Sequence, residues 1–561
     1  MKTLWRSSKR ARAGVVAVAS AFSLFLAACG GDGDNATGGS DVAASGSYNI
    51  VDRDSLRDGG TLNLPLSELS IQQNPFHADG TLYTNTVWDW YNPVIVKADG
   101  AGNFEPNPAY LTDMSEEIVD GKTVVTYTIN EEASYNDGTP IDWKTFEHTW
   151  RYNNGDNEEL NVSSTDGYVL IESVKRGESD KQAVVTFKQA YPWWEGLFNR
   201  LLPTQVDDAE AFNGAYNKEL HPEWGAGPFK VKDYDFNSNT VSFERNEKWW
   251  GNAPKLETVN LRYMEDQASI NAFKAGEIDA TGVAEKDRYA TAQSMSDVDI
   301  RTALRPSNYL LMLNSKSPAL EDIKVREAVM SAIDREQLAK IRFNGLDYEE
   351  ALPGSFTLFQ TQEGYRDNFS EAVTYDAERA VSLLESAGYE REGEGFFQKD
   401  GKPLTLNMPT TGDSAMVKNT ASALQQMLKG AGIDLKVEER PTSDFSNIIT
   451  KQEFDVFLMG FSSSDPFGVA YFDQVYNSES QLNRSGTGTP ELDEKIKELQ
   501  QISDAEEQIE RANELEVEAF KTFGIMPYAN GPDMVATKKG LANYGAYGFA
   551  IVPKEDIGWQ E

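Results

Sequence analysis

From Gly59 onward, short β-branched or aromatic runs alternate with stretches whose apolar residues recur at helical spacing, and no unit of about 20–50 residues repeats. The runs predict strands at Thr61–Leu66, Thr123–Ile129, Ala183–Phe187, Thr240–Glu244, Thr258–Tyr263, Tyr309–Asn314, Leu404–Met408, Leu435–Glu439 and Asp455–Gly460. In Ile323–Lys340, Val325, Ala328, Val329, Ala332 and Ile333 fall at i, i+3, i+4, i+7 and i+8, which predicts a single helix capped by Asp322. In Tyr375–Tyr389, Asp376 caps a helix with Ala377, Ala380, Val381 and Leu384 on its buried face, and Gly388 supplies a left-handed stop. Pro490–Phe523 predicts a helical hairpin whose second arm opens with Asp504 and Glu507 at capping-box spacing. Helices alternate with strands in Ile323–Gly460, as in an α/β layer structure, whereas Val87–Asp208 is richer in strands, turns and Trp or Tyr and reads as a separate, smaller unit.

One apolar run breaks this pattern. Lys2, Arg6, Lys9, Arg10 and Arg12 precede an almost unbroken apolar or small stretch from Ala13 to Leu26, the layout of a secretory signal. The stretch is shorter than the roughly 20 residues of a spanning helix. It ends in Leu26-Ala27-Ala28-Cys29-Gly30, which resembles a bacterial lipobox. That resemblance implies cleavage after a signal peptide of residues 1–28 and lipidation of Cys29. The following segment, 29–57, begins with glycines and small polar residues that cannot bury enough surface to order themselves, and it reads as a flexible tether. The folded body is then expected on the outer face of the cytoplasmic membrane, lipid-anchored.

Composition narrows the chemistry. With 52 basic against 89 acidic residues in 561 and a net charge of −37, the surface repels phosphate backbones, so nucleic acid is not an expected partner. Cys29 is the only cysteine, which excludes a disulfide framework and a thiolate metal cluster. No Gly-x-x-x-x-Gly-Lys-Ser/Thr loop is present, so any ATP hydrolysis belongs to a partner. Gly460-Phe461-Ser462-Ser463-Ser464 starts like a nucleophile elbow but lacks its final glycine. His77, His148 and His221 have no second ligand at metal spacing, and the carboxylate pairs Glu116-Glu117 and Glu158-Glu159 read as solvated faces. No catalytic residue, cofactor or metal ligand is expected.

Several segments in one fixed order, spanning about residues 58–550, resemble the peptide and nickel family of substrate-binding proteins of ATP-binding cassette importers. They are Tyr127-Thr128-Ile129 with Tyr135-Asn136-Asp137-Gly138-Thr139-Pro140, Gly225-Ala226-Gly227-Pro228-Phe229-Lys230, and Glu244-Arg245-Asn246-Glu247-Lys248-Trp249-Trp250. Phe273-Lys274-Ala275-Gly276-Glu277-Ile278-Asp279 follows, then the block from Leu313-Asn314 through Val325-Arg326-Glu327-Ala328 to Ala332-Ile333-Asp334-Arg335. The run from Tyr375 to Tyr389 and then Gly432-Ile433 to Phe454-Asp455 complete the series. Arg326 and Asp334 are expected in surface or lobe-internal ion pairs.

The resemblance implies an α/β, two-lobed periplasmic-binding-protein-like fold with an additional small α+β domain and a ligand cleft between the lobes. By analogy lobe one comprises 58–86, 211–307 and 521–561, the small domain 87–210, and lobe two 308–520. It further implies an oligopeptide ligand, importer permease and ATPase subunits as partners, and a monomer. The ligand segment by resemblance is the strand ending in Gly460-Phe461 and the loop Ser462, Ser463, Ser464 and Asp465, where Asp465 is the one carboxylate available to a peptide amine. Ser70, Ile71 and Asn74 resemble the first-lobe segment that pairs with ligand backbone, although Asn74 stands where the family usually has Asp. Trp88, among the clusters Trp88-Asp89-Trp90-Tyr91, Trp143 with Trp150, Tyr191-Pro192-Trp193-Trp194 and Trp249-Trp250, is an aromatic candidate for ligand contact. Two other readings stay open: a non-transport lipoprotein of the same fold acting as a scaffold or regulator in envelope biosynthesis, and binding of a sugar or a metal chelate.

Overall fold

The computed structural model describes residues 46–463 and 465–561. The signal segment, Cys29 and Ser464 lie outside the described residues. The nine predicted strands are present, two of them, Thr61–Leu66 and Thr258–Tyr263, with the predicted bounds. Those two pair in parallel, although about 190 positions of chain separate them. Strands Thr240–Arg245 and Phe229–Asp235 extend the same sheet in antiparallel fashion. A second four-stranded sheet is antiparallel throughout, in the order Leu111–Val119, Lys122–Ile129, Gln182–Phe187 and Ile171–Arg176. In its strand Lys122–Ile129, Thr123, Val125, Tyr127 and Ile129 alternate inward, the period-two pattern of a sheet with one covered face.

Two three-stranded sheets carry the chain from one lobe to the other. Ala280–Gly282, Pro532–Lys538 and Val298–Leu304 form one; Val456–Ser462, Ser307–Leu313 and Ile525–Ala529 form the other. The chain passes between them twice, from Leu304 to Ser307 and from Ala529 to Pro532. The crossings are tied side by side. Asn530 donates its side-chain amide to Ser307 O at 2.9 Å and Asn308 Oδ1 at 2.8 Å, and the Glu350 carboxylate accepts from the backbone of Asn530 at 2.7 Å and of Gly531 at 3.0 Å. Gly531 sits at φ +79°, a left-handed conformation that favours glycine. The largest apolar core, from Leu310 to Ala529, lies on one side of the crossings, while Leu62, Leu261, Leu541 and Ile557 share a core on the other.

The stretch predicted as one helix over Ile323–Lys340 is two, Ile323–Ser331 and Arg335–Phe343. The apolar stripe is buried as expected, but Asp334 leaves helical conformation and its carboxylate accepts from the Gln337 backbone, starting a new helix. The expected pairing of Arg326 with an acidic partner is also corrected. Its buried guanidinium donates to the carbonyls of Leu320, Glu321 and Thr522 at 2.9–3.1 Å, and Asp334 serves as the cap. The capping aspartates Asp322, Asp376 and Asp504 act as predicted, and Gly388 ends its helix at φ +84°. Pro490–Gln500 and Ala505–Phe520 form the two arms of the hairpin.

Candidate functional site

A cavity of about 840 Å³ opens between the lobes, a volume within the range of sites that enclose small organic ligands. One wall is the edge strand Val456–Ser462, whose Gly460, Phe461 and Ser462 pair only with Tyr309, Asn308 and Ser307 in the sheet. Ser463 continues that wall and donates its backbone N–H to Pro306 O at 2.8 Å. An edge strand offers unpaired N–H and C=O groups to any extended chain laid beside it. The opposite wall is made by Pro75–Tyr83, by Asp89 and Trp90 of the following helix, and by the C-terminal segment Tyr547–Glu555.

The structure separates the predicted site residues into two groups. Gly460, Phe461, Ser462 and Ser463 line the cavity. Ser70, Asn74 and Trp88 are fully buried (0 % exposed) and do not. Ser70 Oγ bonds Thr81 Oγ1 at 2.6 Å, Asn74 donates to Phe212 O at 3.0 Å, and Ile71 O accepts from Lys218 N at 2.7 Å. These bonds fasten the loop whose next residues, Pro75 to Tyr83, form the wall. Trp88 packs among Leu202, Val206, Phe212 and Tyr216, while Trp90, two positions along the helix Leu82–Tyr91 and therefore on another face, reaches the cavity.

Asp465 is 1 % exposed and stands behind the wall. Its Oδ2 accepts from the Tyr471 hydroxyl at 2.7 Å and its Oδ1 from Phe467 N at 2.9 Å. Tyr471 itself faces the cavity. The remaining aromatic clusters serve packing: Trp249 and Trp250 cover Tyr110, and Trp193 meets Phe467 across the cleft at 5.9 Å between ring centroids.

Charged side chains at the site were not marked in the sequence, because their partners lie far along the chain. Arg200 grips Asp89 with two hydrogen bonds of 2.8 and 2.9 Å, and Arg484 meets Asp79 at 3.2 Å while donating to Ala78 O at 2.7 Å. Arg305 lies over the Tyr309 ring at 4.8 Å, and Arg342 over the same ring at 4.1 Å. Burial lowers the proton affinity of His77, whose Nδ1 accepts from Asp79 N at 3.0 Å. Among the described residues no group of three or more His, Cys, Asp or Glu is arranged to hold a metal ion.

Burial pushes two carboxyl groups, Glu68 and Glu555, up to about 7. Glu68, 2 % exposed, lies against Ser446 of the other lobe. The unfolded chain ionises such a group near 4.5, so below that pH both states are protonated and Glu68 has no effect. Between about 4.5 and 7 the unfolded chain is ionised while the buried group keeps its proton, so stability falls across that window and levels off above it. Glu68→Gln is therefore expected to be neutral near pH ~4 and stabilising near pH ~8 by on the order of 3 kcal/mol, from about 1.4 kcal/mol per pH unit. Urea unfolding at the two pH values checks this; no gain at the higher pH would contradict it.

Two α/β lobes, joined by paired crossings and enclosing a solute-sized cavity, define a two-lobed substrate-binding protein. The chain belongs to the bacterial extracellular solute-binding proteins, family 5, matching the family's middle region over residues 105–483. It is 31 % identical over 527 residues to the oligopeptide-binding protein OppA of Mycobacterium tuberculosis, covering 92 % of this chain and 88 % of that one. In fold it is similar to a periplasmic EDTA-binding protein, EppA (TM-score 0.76, 24 % identity, 94 % of this chain and all of the other). It is likewise similar to the oligopeptide-binding protein AppA from Bacillus subtilis in complex with a nonapeptide (TM-score 0.74, 20 % identity, 90 % of this chain and all of the other). No helix among the described residues is long and apolar enough to cross a membrane.

Proposed function

We propose that this protein captures oligopeptides between its lobes and delivers them to an ATP-binding cassette importer. The observation that carries the reading is the strand edge Gly460–Ser463 exposed along one wall of the 840 Å³ cavity. Backbone pairing along such an edge is indifferent to side chains, which suits a receptor for peptides of mixed sequence. The relationship to OppA over nearly the whole chain supports the same ligand class. Ser70, Ile71, Asn74 and Trp88 act as support, holding the facing loop and helix in place. Asp465 acts through Tyr471, orienting its hydroxyl at the wall.

The proposal includes an anchor and a partner. Diacylglycerol on Cys29 would hold a monomer at the outer face of the cytoplasmic membrane. The tether expected over 29–57 is corrected at its far end: Ser47 and Leu56 bridge to Ala546 and Gln560, Asn49 donates to Leu541 O at 2.8 Å, and Leu56 is buried, so this part belongs to the folded body. Lobe one (58–86, 211–307 and 521–561), the small domain (87–210) and lobe two (308–520) would move about the crossings at 304–307 and 529–532, and the permease would recognise the closed form.

Native mass spectrometry of the purified chain, followed by acid release and sequencing of what it carries, tests the reading. The expected result is a heterogeneous set of short peptides. A ligand-free mass that also resists loading from a peptide mixture would overturn it.

A further inference from the structure

One ion pair ties the two walls of the cavity to each other. Arg484 is buried in the loop that follows the helix Phe472–Tyr476, on the side of the largest core. Its Nη2 donates to Ala78 O at 2.7 Å and to Asp79 Oδ1 at 3.2 Å, in the opposite wall and 406 and 405 positions away. Both ends of the contact are held from behind. Asn483 donates to Asn477 O at 3.1 Å and Thr487 O at 2.7 Å, and Ser485 Oγ donates to Asn483 Oδ1 at 2.6 Å, so the arginine stands on a loop that closes on itself. In the facing wall, Ala78 N donates to Asn161 O and Gly80 N to His77 O, each at 2.9 Å. A charge-assisted contact between two loops so fastened exists only while the walls are together.

His77 shapes the turn that receives Arg484. It is buried, and its Nδ1 accepts from Asp79 N at 3.0 Å; an imidazole nitrogen that accepts carries no proton, so the ring is neutral in this arrangement. Among the described residues the charged groups facing it are Asp79, whose Oδ2 lies 3.9 Å from the same nitrogen, and Arg484, while Val162 and Phe212 from the other elements against it bring no charge. A proton on Nδ1 acts three times in one direction. It sets two N–H groups against each other in place of the bond from Asp79 N, it repels the guanidinium, and it competes for the carboxylate that Arg484 holds. Burial lowers the proton affinity of His77; Asp79 opposes that shift and Arg484 adds to it.

We propose that Arg484 latches the closed form onto the turn His77–Gly80, and that His77 is the positioning residue that releases the latch when it takes up a proton. This rests on the reading of the cavity as the solute site, and it adds the condition under which a captured solute is let go. In an open form His77 meets water and titrates at about 6.5. The closed form takes the proton less readily, so closure is fully favoured above that pH and weakens as pH falls below it. Glu68 and Asp166, buried where the lobes meet with raised proton affinity, act in the opposite sense. The contribution of His77 is therefore the difference between the native chain and a variant that cannot titrate.

His77→Asn is that variant, because an asparagine Oδ1 accepts from the amide two residues on, as Asn74 does from Phe76 N at 3.0 Å. The full chain, stripped of ligand by unfolding and refolding, is offered a pentapeptide library of uncharged side chains at pH ~7.5 and pH ~5, with retention read by native mass spectrometry. Each protein is read through the ratio of its own affinities at the two pH values. The native chain is expected to lose at least about fivefold more affinity at the lower pH than His77→Asn does. Arg484→Met is expected to bind about tenfold more weakly at the higher pH, and adding His77→Asn to it should leave its pH ratio unchanged. An equal ratio in the native chain and in His77→Asn overturns the release, and undiminished binding by Arg484→Met overturns the latch. If no peptide is retained at either pH, small-angle scattering decides. Expansion of the native chain at the lower pH that His77→Asn does not show keeps the latch while the peptide reading falls; equal dimensions overturn both.

Discussion

Glu516→Ala is expected to destabilise the protein by at least ~3 kcal/mol, because each buried donor left without its acceptor costs about 1–3 kcal/mol. Glu516 is 0 % exposed on the helix Ala505–Phe520, and no cation of a described residue pairs with it. Its Oε1 accepts from Phe356 N at 2.9 Å, Thr357 N at 3.2 Å and the Tyr476 hydroxyl at 3.1 Å, and its Oε2 from Asn368 Nδ2 at 2.7 Å. With the Thr357 hydroxyl at 3.4 Å, five donors converge on one carboxylate; truncation strands Phe356 N and the Tyr476 hydroxyl in the largest core, while Thr357 and Asn368 keep Ser355 Oγ and Asn513 Oδ1. Phe356 and Thr357 line the cavity, so the same carboxylate that secures the core fixes part of the site. Urea unfolding should show a lower midpoint at an unchanged slope. Tyr476→Phe removes one donor only and is expected to cost about 1 kcal/mol. A Glu516→Ala loss no greater than that of Tyr476→Phe would show that the network does not act as described.

Asp166→Ala is expected to weaken ligand binding ten- to a hundredfold, about 1.4–2.8 kcal/mol, without touching the cavity wall. Asp166, 2 % exposed, accepts from Gln474 N at 2.9 Å and from Gln500 Nε2 at 2.6 Å, residues 308 and 334 positions away on the facing lobe. Burial, with Asp473 nearby, raises its proton affinity well above the ordinary carboxylate range. These bonds exist only when the lobes are together. Their loss shifts the population toward the open form and reduces apparent affinity by the fraction of closed form lost. Tryptophan fluorescence titration with a peptide recovered from the native protein measures the affinity. Small-angle scattering should show a larger radius of gyration for the unliganded variant. Unchanged affinity together with unchanged scattering would remove Asp166 from any role in closure.

Much of the fold is legible from local pattern. Thr61–Leu66 and Thr258–Tyr263 alternate, and a half-covered strand must alternate; Asp322, Asp376 and Asp504 precede apolar periodicity because the first turn of a helix needs acceptors. The break at Asp334 was legible in principle, since an aspartate before Arg335-Glu336-Gln337 is itself a cap, but the apolar stripe runs on through it and a stripe reports burial whichever helix carries it. Arg326 shows the opposite failure. Its charge suggests an acidic partner, yet the fold surrounds it with carbonyls at the ends of other segments.

The site divides along the same line. Sequence alone determined that this is a long, strongly acidic α/β chain, placed the strand that ends at Gly460-Phe461, and singled out the serines that follow it. Local alternation, composition and turn chemistry depend on residues within a few positions of each other, and those are on view in the sequence. Only the tertiary structure decided that Trp90 and not Trp88 faces the cavity, that Asp465 is engaged by Tyr471, and that Arg200 and Arg484 are neutralised. Arg200 finds Asp89 across 111 positions and Arg484 finds Asp79 across 405. Whether a charge is paired depends on which distant segment the packing of the cores brings within 4 Å, and no periodicity records that distance.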